Sequence, residues 1–183
     1  IAGSLGLAAA FTLLVEKIEL LTDPTYVPSC SINPILSCGS VMQTDQAEAL
    51  GFPNPILGVA GFAIIITVGI ALLAGATFAR WFWWGLQAGV TVAVVFVHWL
   101  IFQSLYRIDA LCPYCMVVWV VTIPLFWYTT LHNLSVASAD RAGTSHVVTR
   151  PITEYYGAIL TVWYLAIAAF IGALLIGASY VAA

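Results

Sequence analysis

The chain has 183 residues, of which 62% are hydrophobic and 7% charged, and it carries a formal net charge of −3. Soluble domains run at roughly 45–50% apolar and about 25% charged, so this composition excludes an ordinary soluble fold and describes an all-α integral membrane protein. So few basic residues leave no cationic face, and no nucleic-acid partner is expected.

Residues 1–21 form the first apolar run. At about 1.5 Å per residue it is long enough to cross roughly 30 Å of hydrocarbon. The chain opens on Ile1 and not on Met, so its natural start is expected upstream. Glu16, Lys17 and Glu19 crowd the end of this run, where charged side chains reach the interface and pair along the helix. The functional alternative has Lys17 holding the loop that follows or attracting an anionic quinone.

Residues 23–53 are the extended polar stretch near the N-terminus, opening with the turn-forming Asp23-Pro24-Thr25-Tyr26-Val27-Pro28. Leu36 to Leu50 favours a short amphipathic helix on the membrane surface, with Val41, Met42, Ala49 and Leu50 on one side and Gly51 as its cap. Further spans are expected over 55–78, 81–105, 112–131 and 157–181, with a tight turn at Arg80, a short connection over 106–111 and a polar loop over 132–151. Pro124 is a tolerated kink in the fourth span. Gly85-x-x-x-Gly89 predicts close helix packing. Trp81, Trp83 and Trp84 predict an aromatic belt, and His98 a buried, hydrogen-bonded side chain.

Orientation rests on Arg and Lys. Arg80, Arg141 and Arg150 outnumber Lys17 and Arg107, which places the N-terminus and the loops at 80 and 132–151 inside. Both cysteine pairs then lie outside, where disulfide chemistry belongs. They share one side in any five-span arrangement of this kind. His132 and His146 fall on the other.

Four cysteines carry the chemistry: Cys30 and Cys38 in the 23–53 segment, and Cys112-Pro113-Tyr114-Cys115 at the start of the fourth span. Pro113 suits the first helical position, which puts Cys112 at the N-cap and Cys115 one turn on, near enough to pair with it. Unpaired N–H groups and the positive end of the helix dipole favour a thiolate there. Four cysteines permit three pairings, and a relay uses more than one in turn. The loop pair, read as exposed and mobile, takes electrons from a soluble dithiol, and the helix-mouth pair passes them into the bilayer. Each transfer is attack of a thiolate on a disulfide. No nicotinamide or flavin fingerprint is present, so the final acceptor is expected to be lipid-soluble, a quinone. Asn54, at the entrance of the second span, can hydrogen-bond a quinone carbonyl. Static disulfides, a four-thiolate zinc site, and a non-catalytic membrane scaffold or transporter are the competing readings. Cys-x7-Cys with Cys-x2-Cys does not match common zinc spacing, and no metal is expected.

This pattern resembles the vitamin K epoxide reductase family. The residues are Cys30 and Cys38, Thr44 beyond them, Asn54-Pro55-Ile56-Leu57-Gly58 opening the second span, and Cys112-Pro113-Tyr114-Cys115 opening the fourth. The likeness covers roughly 1–131. It implies a four-helix transmembrane bundle around a quinone (menaquinone/vitamin K or ubiquinone), capped by the 23–53 segment. The fifth transmembrane helix is similar to that of prokaryotic relatives, where it leads to a thioredoxin-like domain. The expectation here is a separate thioredoxin-like or disulfide-oxidase partner, or a domain removed beyond Ala183.

The resemblance further implies that Cys30 exchanges with that partner, that Cys38 attacks Cys112, and that the released Cys115 faces the quinone. It makes Asn54 the quinone-bonding amide and Thr44 a match to a Ser/Thr position. Met42 becomes a pocket-lining residue. Trp119 stands where relatives often have Tyr, which keeps an aromatic wall and loses its hydroxyl. Epoxide reduction and coumarin sensitivity therefore do not carry over. The implied task is disulfide formation in secreted proteins, from the inner or plasma membrane with the cysteines on the extracytoplasmic side. The unrelated four-helix disulfide-generating quinone reductase of the bacterial envelope shares this logic. It carries its Cys-x-x-Cys in the first outer loop, where this chain has Cys-x7-Cys.

Overall fold

The computed structural model describes residues 1–33, 35–140 and 154–181. Helix α1 (Ala2–Thr22) leads into a cap segment that holds the short helix α2 (Cys38–Met42) and a 3-10 turn (Asp45–Glu48). The long helices α3 (Pro55–Leu73), α4 (Arg80–Gln103), α5 (Pro113–Asp140) and α6 (Tyr156–Val181) follow. Among the described residues the only extended pairing is an isolated parallel bridge between Leu36 and Leu111.

Among the described residues, four stretches are long and apolar enough to cross a membrane: Pro55–Leu73, Arg80–Ile108, Pro113–Ala137 and Tyr156–Ala173. Helix α3 leaves Ile64, Ile70 and Leu73 more than half exposed, and α4 does the same with Val92 and Val95. Contiguous apolar surface of that extent is not kept in water, whereas lipid accepts it. The chain is a multi-pass membrane protein. Helix α1 is also 21 residues long, but Glu16, Lys17 and Glu19 occupy its last turns and it is not among the four stretches.

Several boundaries move from their expected places, each for a local reason. Helix α3 stops at Leu73 and does not run to 78. Gly75 takes φ +86°, and the Gly75 and Ala76 N–H groups bond back to Leu72 and Ala71. That is the left-handed glycine closure of a helix C-terminus, so the turn falls there, and Arg80 is already helical. The expected connection over 106–111 is shorter, because α4 continues through a π turn (Ser104–Ile108) before Asp109 breaks it at φ 54°. The fourth helix is longer than 112–131. It passes through Pro124 to Asp140, so 132–140 of the expected loop are helical and the rest of that loop, with His146, lies outside the described residues. The single amphipathic helix expected over Leu36–Leu50 is two short pieces broken at Gln43 and Thr44, and Leu50 is exposed. His98 is half-buried and its Nδ1 lies 2.7 Å from the Val94 carbonyl.

The chain divides into two compact units, Ile1–Leu125 and Phe126–Ala183. In the first, Ala10 of α1, Phe62 of α3 and Val121 of α5 form one buried cluster. Glycine brings α1 and α3 together: a Cβ at Gly6 would overlap the Phe62 ring, and one at Gly58 would lie 2.9 Å from the Ala10 Cβ. Gly85 and Gly89 do not play this part, since a Cβ at either meets no described residue within 4 Å. Helix α4 buries a stripe of Val90, Val94, Val97 and Ile101. In the second unit, Phe126 and Trp127 of α5 meet Trp163 of α6 edge-on, at 6.2 and 6.4 Å between ring centres.

Candidate functional site

The site is built where the cap segment meets the start of α5. Two backbone hydrogen bonds flank the Leu36–Leu111 bridge, from Leu111 N–H to Ile35 C=O at 2.7 Å and from Ser37 N–H to Leu111 C=O at 3.0 Å. The turn before the bridge is fixed by Asn33, whose Oδ1 accepts from the Ile35 and Leu36 N–H groups. Chain then leaves the bridge in both directions straight into helices. Ser37 caps α2 by accepting from Ser40 N–H, which makes Cys38 the first helical residue. On the other side Cys112 sits at the N-cap of α5, with its C=O receiving the Met116 N–H at 3.0 Å. The two sulfurs end 3.0 Å apart, although 74 residues separate them in sequence.

Cys30 and Cys38 are disulfide-bonded, with Cα atoms 5.5 Å apart, while Cys112 and Cys115 are free thiols. The sulfurs of Cys30, Cys38 and Cys112 all lie within 4.8 Å of one another. They share a buried cluster with Leu13, Leu20 and Met42, against which Tyr26, Val41, Tyr114 and Cys115 pack. Both pairs therefore stand at one place. The loop pair is not exposed, however: Cys30 keeps 5% of its surface and Cys38 none. The bridge and the apolar cluster draw the cap down onto the helix ends.

The surroundings of Cys112 shift its thiol. Its thiol is held below the ordinary thiol range, first by the hydrogen bond from the Cys115 thiol and then by the N–H groups of Cys115 and Tyr114, while burial and the Glu16 carboxylate act in the opposite direction. The Cys115 N–H points at the Cys112 sulfur from 3.4 Å. The N–H groups at the start of α5 thus add to the Cys115 thiol, which is the larger cause.

Of the charged residues at the end of α1, Glu19 is exposed, whereas Glu16 and Lys17 turn into this site and do not reach outward. Glu16 and Lys17 keep only 5% and 6% of their surface. Lys17 Nζ donates to the Met42 carbonyl at 2.7 Å and pairs with Glu48 at 2.9 Å, so it clamps the cap. Glu16 Oε1 accepts from Ser29 N–H at 3.1 Å and from the Ser29 hydroxyl, and Oε2 lies 3.3 Å from the Cys30 sulfur. The holding role given to Lys17 is thus the one observed, and Glu16 is a site residue that the interfacial reading passes over. Its signal was in the spacing. The buried residues of α1 run Gly6, Ala9, Ala10, Leu13, Glu16, Lys17, Leu20, so both charges fall on the inward stripe.

The remaining candidates fall around this centre. Met42 is buried within the cysteine cluster. Thr44 is half-buried and its hydroxyl donates to the Val41 carbonyl at 2.8 Å. Asn54 ties the entrance of α3 to the cap: its Nδ2 donates to Gln46 C=O at 2.7 Å and its Oδ1 accepts from Ala49 N–H at 3.2 Å. Trp119 is buried on α5, one turn beyond Cys115.

A helical membrane protein with a disulfide in contact with a second pair of thiols at the mouth of a span is of the membrane thiol oxidoreductase class. The profile of the family described as Vitamin K epoxide reductase family matches residues 1–130. The chain belongs to that family, which is an oxidoreductase family. No curated protein matches the chain.

Proposed function

We propose that this protein is a quinone-dependent thiol–disulfide relay of the extracytoplasmic membrane face, which reoxidises a thioredoxin-like or disulfide-oxidase partner and so supports disulfide formation in secreted proteins. The observation that carries the reading is the 3.0 Å approach of the Cys38 and Cys112 sulfurs. Sulfurs belonging to two different redox pairs stand at reacting distance, which a pair of static staples does not need.

The partner's thiolate attacks Cys30, the member of the outer pair that keeps any surface, and Cys38 leaves with the electron pair. Cys38 then attacks Cys112 of an inner Cys112–Cys115 disulfide, releasing Cys115. The partner's second thiolate attacks its own sulfur in the mixed disulfide, so the partner leaves oxidised and Cys30 is freed. Attack of Cys30 on Cys38 then restores the outer disulfide and leaves Cys112 and Cys115 reduced, the arrangement in this structure. A bound quinone supplies the two-electron, two-proton acceptor for that inner pair. The side chains fit such a group: an amide carries two N–H donors, one of Asn54's meets Gln46, and its second suits a carbonyl. Met42, Thr44 and Trp119 would line the ring's site with apolar and weakly polar surface.

The test mixes purified protein with reduced thioredoxin and a soluble quinone and follows quinone absorbance. Turnover is expected in the native protein and its loss in a folded Cys115→Ser variant. Retained turnover in that variant refutes the relay.

A further inference from the structure

Among the described residues, α1 buries a carboxylate beside a reacting sulfur. Glu16 is 5% exposed. Its Oε1 is occupied by the Ser29 N–H and hydroxyl, which fixes the carboxylate plane and turns Oε2 toward the Cys30 sulfur, 3.3 Å away. In the disulfide that sulfur bears no proton, so the contact is not a hydrogen bond in the oxidised state. It becomes one as soon as Cys30 is a thiol. A buried carboxylate costs free energy unless it is paired or hydrogen-bonded, and here half of its acceptor capacity is directed at an atom that has a proton to give only during turnover. Ser29 alone would be served as well by a neutral acceptor.

We propose that Glu16 is a catalytic residue of the relay, the proton acceptor for the Cys30 thiol in the step that closes the outer disulfide. This rests on the relay reading above. The step begins from the mixed disulfide between Cys38 and Cys112. The Cys30 S–H proton passes to Glu16 Oε2 as the Cys30 sulfur attacks Cys38. The Cys30–Cys38 bond forms, the Cys38–Cys112 bond breaks, and the electron pair leaves on the Cys112 sulfur. Cys30 is oxidised and Cys112 reduced, so the step needs no outside oxidant. Earlier in the cycle, when the partner's second thiol resolves its mixed disulfide with Cys30, Cys30 leaves as a thiolate and the same carboxyl supplies its proton. Cys30 thereby receives a local base, and Cys112, at the N-terminus of α5, is the thiolate that the helix end accommodates.

Other ionisable groups surround Glu16 and belong in any pH experiment. On its own helix they are Lys17, paired with Glu48, and Glu19. From the cap Tyr26 faces it, with a phenol raised first by burial and then by Glu16 and Glu19. From the start of α5, Cys112 senses it as well.

The test compares native protein, Glu16→Gln and Glu16→Asp in quinone reduction with reduced thioredoxin from about pH 6 to 9.5. Gln keeps an oxygen for Ser29 and cannot take a proton. Turnover in Glu16→Gln should fall by about tenfold or more near pH 6.5. The loss should shrink toward pH 9.5, where a thiol of ordinary pKa about 8.5 ionises unaided. Glu16→Asp should recover part of it. A loss of equal size at every pH would mean that Glu16 only holds the loop, and would overturn the proposal. So would a faster Glu16→Gln, which would make the carboxylate an electrostatic hindrance to the thiolate.

If the native protein does not reduce quinone at all, the relay reading fails. Glu16 is then read from the rate of Cys30 alkylation against pH in the reduced protein. A midpoint that moves down in Glu16→Gln keeps the thiol–carboxylate contact and Glu16 as the base beside Cys30, without the relay around it. An unmoved midpoint ends the proposal.

Discussion

At the level of single residues, the sulfur of Cys112 belongs to three arrangements at once. It is the N-cap of α5, it receives the Cys115 N–H, and it touches Cys38. Because its thiol is held low, alkylation of reduced protein by a small reagent should rise with pH through a midpoint below that of an ordinary thiol. Cys115→Ala removes the foremost cause and should move that midpoint up, as mass spectrometry of the Cys112 peptide would show. The sign for stability runs the same way. A depressed pKa in the folded state contributes stability that is full above the unfolded value and is lost as pH falls through the folded one. The contact with Cys38 has its own chemical signature. In a Cys30→Ser/Cys115→Ser double variant only Cys38 and Cys112 remain, and mild oxidation should join them in nearly every molecule. A double variant that stays fully reduced would contradict the observed approach.

Among the helices, close approach is a matter of which glycines face a neighbour. Gly6→Ala pushes a methyl group into the Phe62 ring within a buried cluster, and should cost about 1–3 kcal/mol, seen as a thermal midpoint several degrees lower in detergent. Gly85→Ala, with open space around it, should leave that midpoint unchanged or raise it slightly, since alanine favours helix. The sequence alone points to the wrong pair. Gly85 and Gly89 have the motif spacing, but spacing says nothing about which face of a helix meets protein and which meets lipid when both are apolar. Helix existence was legible from hydrophobic run length. Helix ends were not, because they are set by backbone closures such as that at Gly75 and the π turn before Asp109. The inward charges of α1 were misjudged because a charged residue near a helix end usually reaches water, and here the cap covers that end. The four cysteines were readable from spacing. Their meeting was not, since it depends on a bridge between segments far apart in the chain.

For the whole molecule, the cap both buries the redox centre and offers its outer surface. Val27, Ile32 and Ile35 are 71%, 69% and 51% exposed on the segment that carries Cys30. An apolar rim beside a nearly buried sulfur suits a partner that must settle on the cap before its thiolate can reach Cys30. Ile32→Asp is therefore expected to raise the apparent KM for reduced thioredoxin several-fold and leave kcat for quinone reduction near the native value. A change confined to kcat would argue against a docking role for this rim.

The Leu36–Leu111 bridge has a kinetic meaning beyond its two hydrogen bonds. By splicing the cap to the threshold of α5, it turns exchange between Cys38 and Cys112 from a collision into an internal reaction. Well-aligned groups of that kind behave as though present at about 10⁵ M or more. No thiol dissolved outside can compete at such an effective molarity. In the proposed relay, electrons that enter at Cys30 would be committed to Cys112 before a stray reductant could intercept them, and the splice would serve as the relay's insulation.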